Sequence, residues 1–90
     1  MKYVWNELKS RNNLKKHKVS FEEAQSVLES GDYLVVVDTN SDEERYKALG
    51  MSRLLNLLLV IYTYRDEDFI RIISARKATA KEVKLWQKEK

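Results

Sequence analysis

The spacing of apolar positions changes period once along this 90-residue chain. Before residue 32 it is helical; after it, the chain falls into short β runs. Tyr3-Val4-Trp5 alternates weakly and reads as a short edge strand at most. Asn6 is an N-cap for a helix reaching about His17, with Leu8 and Leu14 as its main interior apolar residues. Ser20 and Glu23 form a capping box for a second helix, and Val19 is placed to staple to Ala24. Phe21, Ala24, Val27 and Leu28 then share one face, the outward face is acidic, and Gly31 ends the helix. Tyr33–Asp38 is a β run, residues 39–42 a loop, and Arg45–Met51 a less apolar strand. Residues 52–56 turn the chain into Leu57–Tyr64, the most hydrophobic strand and therefore the central one. A polar turn at 65–68 leads to a last strand beginning at Phe69. Thr79 and Glu82 form another capping box, opening a helix whose apolar contacts are Val83 and Trp86.

The element order is β-α-α-β-β-β-β-α with a weak first strand. Short connections favour an antiparallel meander. The expected fold is α+β: a single domain over residues 1–90, with two N-terminal helices and one C-terminal helix on one face of a twisted, four-stranded antiparallel sheet.

Composition narrows the chemistry. No cysteine is present, which removes disulfides and cysteine-based metal sites and suits a reducing cytoplasm. One histidine, His17, removes a multi-histidine metal site, and no carboxylate spacing suggests another. No signal peptide is visible, and the longest apolar run, residues 57–62, is too short to span a bilayer. Two glycines and no proline leave no glycine-rich phosphate loop. The net charge of +3 is strongly segregated. Residues 1–18 carry six basic and one acidic residue, 19–44 eight acidic and no basic, and 45–90 eleven basic and five acidic. Such blocks either pair and cancel or leave one face cationic.

The cations with the least obvious structural use are Arg71, Arg76 and Lys77, on and beside the strand Phe69-Ile70-Arg71-Ile72-Ile73-Ser74-Ala75-Arg76-Lys77. A cation on a hydrophobic strand must point at water or at an anion, and phosphate is the natural anion for arginine. Strict alternation puts Arg71 and Lys77 on one face and Arg76 on the other. Arg71 and Arg76 converge only if the strand breaks or bulges near Ser74; otherwise Arg76 is a partner for the acidic second helix.

Three ordered blocks carry a family resemblance. Tyr3-Val4-Trp5-Asn6-Glu7, continuing through Asn13-Leu14-Lys15-Lys16-His17-Lys18-Val19-Ser20-Phe21-Glu22-Glu23-Ala24, is similar to the opening of the BrnT toxin family. Asp42-Glu43-Glu44-Arg45-Tyr46 and Ile70-Arg71-Ile72-Ile73-Ser74-Ala75-Arg76-Lys77-Ala78-Thr79 resemble two further blocks of that family. The resemblance spans roughly residues 3–86. It implies a RelE-like fold and a ribonuclease toxin of a type II toxin–antitoxin pair that inhibits translation. It also implies a BrnA-like, DNA-binding and dimeric antitoxin that neutralises the toxin and alone brings it to operator DNA. One departure is Lys18, where the family usually has the glycine that suits a left-handed helix cap.

Metal-free RNA cleavage needs a base for the 2′-hydroxyl, a cation for the phosphorane and an acid for the leaving 5′-oxygen. His17 is the candidate acid or base, although a cation there also suits the helix dipole. Arg45, Arg71 and Arg76 are the candidate phosphate-stabilising residues, and Lys15, Lys16 and Lys77 candidate RNA contacts. Tyr46, Tyr62 and Tyr64 can stack bases or sit in the core. Neither a metal nor another cofactor is expected, nor a membrane partner. The alternatives are a non-catalytic RNA- or protein-binding module, or a degenerate toxin kept for antitoxin binding and operon control, for which Lys18 is the sequence hint.

Overall fold

The structure is a computed structural model and describes residues 1–38 and 44–90; the loop expected at 39–42 lies outside the described residues. Its elements are β1 (Lys2–Val4), α1 (Glu7–His17), α2 (Phe21–Ser30), β2 (Tyr33–Asp38), β3 (Arg45–Met51), β4 (Leu57–Tyr64), β5 (Phe69–Lys77) and α3 (Ala80–Glu89). The described strands form one sheet in the order β1-β5-β4-β3-β2. The meander from β2 to β5 is antiparallel and β4 is central, as its apolar content requires. The sheet nevertheless has five strands and is mixed, which corrects the expected four-stranded antiparallel sheet. The weak opening segment pairs parallel with β5, Tyr3 opposite Ile70, and the Lys2 N–H donates to the Asp68 carbonyl at 2.8 Å. Three residues of backbone pairing suffice there, with little periodicity to announce it.

The main core lies between α2 and one face of the sheet. Phe21, Ala24, Val27 and Leu28 of α2 meet Ala48, Leu58, Val60, Tyr62, Ile70, Ile72 and Ala75. Trp5 adds an edge-on contact to Phe21 at 5.9 Å. Gly31 caps α2 in the left-handed region, and Ser20 accepts from the Glu23 N–H at 3.0 Å. The Glu23 carboxylate does not return to close the expected box, nor does it face outward. It is buried and accepts from the Ser52 hydroxyl (2.6 Å) and the Asn56 amide (2.9 Å), fastening the β3–β4 turn to α2. A buried carboxylate gains more from two donors at that turn than from one at its own helix end.

Two helices depart from the expected arrangement. Leu8 and Leu14 are 66% and 49% exposed, and the buried residues of α1 are Ser10 and Asn13. This helix packs chiefly along β5, where polar groups meet backbone. The third helix lies on the opposite face from α2: it packs on β3 and reaches Arg76, which points away from the core. Leu49 and Leu59 also point to that side and are nearly buried. The helices therefore do not share one face. Among the described residues no helix is long and apolar enough to cross a membrane.

Candidate active site

Between Ile61 and Tyr62 of β4 the pairing with β5 shifts register: Tyr62 opposes Ile72, while Ile61 opposes Ser74. Ile73 is thus the extra residue of a β-bulge, which resets alternation along β5. Ile72 and Ala75 both face the core, paired with Tyr62 and Val60. Arg71 and Arg76, paired with Thr63 and Leu59, consequently share the outer face. Lys77 pairs with the core residue Leu58 and so starts from the other side, opposite to its expected alignment with Arg71.

Across β3, β4 and β5 the outer face is built of rows. Lys47, Ile61 and Ser74 form one, and Leu49, Leu59 and Arg76 the next. On the other side of the first, Thr63 pairs with Arg71 and its hydroxyl donates to the Glu44 carbonyl at 2.7 Å, which brings Arg45 to the same row. Two strand spacings, about 10 Å, separate the Arg45 and Arg71 backbones. The Leu49 end of this face lies under α3. There Glu82 takes the Arg76 guanidinium in a two-pronged contact, 2.7 and 3.0 Å, and also accepts from the Thr79 N–H at 2.9 Å. Arg76 therefore pairs with α3 and not with the acidic second helix. The hydrogen bonds from Arg76 are the main cause that holds the Glu82 carboxyl below the usual range, and Glu82 in turn raises Arg76.

His17 is the last residue of α1 and half-buried. With Lys9, Asn12, Asn13 and Lys16 it lines a hollow of about 230 Å³ closed by Ile73 and Ser74 of the bulge. Lys18 follows in the left-handed conformation (φ 61°, ψ 28°), its N–H donating to the Leu14 carbonyl at 2.9 Å. The turn expected to want glycine thus forms with lysine. A second hollow, about 300 Å³, is lined by Val4, Trp5, Asn6, Arg65 and Arg71. Arg71 and His17 line separate hollows that share no residue; Lys15 is exposed and lines neither.

The tyrosines cluster on the core side. Tyr46, Tyr62 and Tyr64 lie 5.5–5.8 Å apart, centroid to centroid. Burial raises the Tyr62 hydroxyl far above its ordinary range, and the Glu44 charge raises Tyr46, so both remain phenols at neutral pH. The cations that sequence reasoning passed over are Lys47, Arg65 and Lys9. Lys47 was legible in principle, two residues from Arg45 on a strand; the other two depend on which elements become neighbours.

A family model described as ribonuclease toxin, BrnT, of type II toxin–antitoxin system matches residues 5–82. The chain belongs to the BrnT toxin family. Among solved structures it is similar to the Brucella abortus ribonuclease toxin BrnT, determined at 1.1 Å, with 26% sequence identity and a TM-score of 0.67. That likeness covers 88% of this chain and 97% of the Brucella protein. A comparison with curated proteins finds no match. BrnT membership makes the chain a ribonuclease toxin of a type II toxin–antitoxin system by family, with RNA as the substrate class and an antitoxin as the partner class. The match takes in both sides of the candidate site and stops at Glu82, so most of α3 lies beyond it.

Proposed function

We propose that this BrnT-family chain is an endoribonuclease that cuts RNA without a metal ion, on the outer sheet face beside the His17 hollow. One observation carries the placement: Ser74 ends the Lys47–Ile61 row and also lines the hollow that contains His17. A phosphodiester seated there has Arg71 and Arg45 on one side and an imidazole on the other. The RNA 2′-hydroxyl attacks the adjacent phosphorus, and the 5′-oxygen leaves. His17 moves one of the two protons, and a lysine of the same surface, Lys47 or Lys16, serves the other transfer. The arginine fork matches the phosphorane oxygens, whose charge grows in the transition state. Lys16 and Lys15 add backbone contacts, Lys77, which starts from the other side of the sheet, does so only where the RNA passes the end of β5, and Arg76 adds its own where Glu82 releases it.

The same reading gives the protein a BrnA-like, DNA-binding, dimeric antitoxin, a cytoplasmic site of action against translation and a RelE-like fold. It is supported by the family match and by the cations of the outer sheet face, Arg71 exposed and Arg45 and Lys47 half-buried. The test is incubation of the purified protein with RNA in excess EDTA. Products ending in a 2′,3′-cyclic phosphate are expected. Absence of cleavage in EDTA, restored by a divalent ion, would reject metal independence.

A further inference from the structure

We propose that Asn13 is the positioning residue of the site, a side-chain clamp that docks the His17-bearing helix onto the bulge of β5. The proposal rests on the ribonuclease reading and adds a residue to it. Helix α1 buries no apolar side chain, so hydrophobic packing along its length does not fix its place. Asn13 does, and it is 8% exposed. Its amide nitrogen donates to the Ala75 carbonyl at 2.8 Å and the Val19 carbonyl at 3.0 Å. Its amide oxygen accepts from the Ala75 N–H at 3.2 Å and stands 3.4 Å from the Ser74 hydroxyl.

These contacts use both amide protons and both acceptor positions. The pair to Ala75 imitates a neighbouring strand: β1 pairs with β5 only as far as Arg71, and beyond it Asn13 supplies the donor and acceptor that a sixth strand residue would. The contact falls two residues past Ile73, where the alternation of β5 has been reset. The contact to Val19 ties down the turn after Lys18. Asn13 and His17 are four apart, on one face of α1, and both line the same hollow. One side chain therefore sets the imidazole relative to the strand that carries Arg71. Aspartate lacks the donors, and alanine lacks everything.

The experiment compares wild type, Asn13→Ala, Asn13→Asp and the core control Val27→Ala for kcat and KM of RNA cleavage, with amide exchange at Ala75 followed in parallel. The expected result is a kcat loss of about 100-fold in both Asn13 variants, with KM little changed, because a misplacement near 1 Å costs that much. Val27→Ala, destabilised but remote, keeps its kcat, and the Ala75 amide is protected in wild type and exposed in Asn13→Ala. Equal kcat losses in Val27→Ala would reduce Asn13 to ordinary stability and overturn the proposal, as would full kcat in Asn13→Ala. Fast exchange at Ala75 in a wild type that cleaves RNA overturns the clamp alone. A protected Ala75 in a wild type that cleaves nothing overturns the ribonuclease reading, and the positioning role with it.

Discussion

Glu82 holds Arg76 with both carboxylate oxygens, at 2.7 and 3.0 Å, and the same carboxylate caps its own helix at the Thr79 N–H. Helix α3 has no fully buried residue: Val83 and Trp86 are half-buried, Lys90 pairs with Asp32, and Glu82 ties its first turn to β5. The Glu82→Ala substitution removes a cap and an ion pair together. It should cost about 1–2 kcal/mol, read as a lower thermal midpoint, with the C-terminal amides losing exchange protection first. A variant that melts like wild type would show that α3 is held by other contacts.

The same pair gives a pH dependence. The Glu82 carboxyl lies below its ordinary value in the folded chain, chiefly through the hydrogen bonds from Arg76. Its contribution is therefore complete above the unfolded carboxylate pKa, about 4.3, and is lost as pH falls through the folded value. Urea midpoints of wild type and Glu82→Gln, compared from pH 6 downward, should differ most at pH 6 and draw together as the pH falls below the unfolded carboxylate value. A constant gap would show that the charge of Glu82 contributes nothing.

Lys18 is a non-glycine residue at φ 61°, the position that closes α1. A side chain in the left-handed region costs about 1–2 kcal/mol, part of which glycine returns through greater freedom in the unfolded chain. Lys18→Gly should raise stability by about 0.5–1 kcal/mol, a gain of a few degrees in Tm. Loss of stability would mean that the lysine makes a compensating contact.

Gly50 is needed for space. A Cβ there would stand 2.9 Å from both the Tyr33 Cβ and the Val27 Cγ1, one against β2 and the other in the α2 core. Neither neighbour is the loose end of a flexible chain. Gly50→Ala should destabilise by about 1–3 kcal/mol in chemical denaturation.

The parts of this fold that hydrophobic pattern or local capping chemistry controls were legible: the α2 face, the central place of β4, the meander and the Thr79 cap, whose partners lie three residues apart. The parts decided by polar side chains reaching a distant element were not. Leucines 8 and 14 looked interior because nothing in the spacing of α1 says that Asn13 will find the unpaired edge of β5. The Ser20–Glu23 motif was satisfied by half, because the Glu23 carboxylate meets Ser52 and Asn56, contacts that only tertiary packing creates. The parallel pairing of β1 leaves too short a run to show a period. At the site, His17, Arg45 and Arg71 could be nominated from residue chemistry and family blocks. That Arg71 and Arg76 share a face depends on one inserted residue, Ile73, whose side chain is as ordinary for a regular strand as for a bulge.

The central claim is that this chain cuts RNA with His17 and Arg71 on one surface. Its most direct test is the single-turnover rate of RNA cleavage in EDTA for wild type, His17→Ala and Arg71→Ala, each checked for a native thermal transition. Removal of a proton-transfer group or of a transition-state cation should lower the rate by about 100-fold or more in each variant. Cleavage at the wild-type rate by both folded variants would contradict the site, and no cleavage by folded wild type would contradict the activity itself.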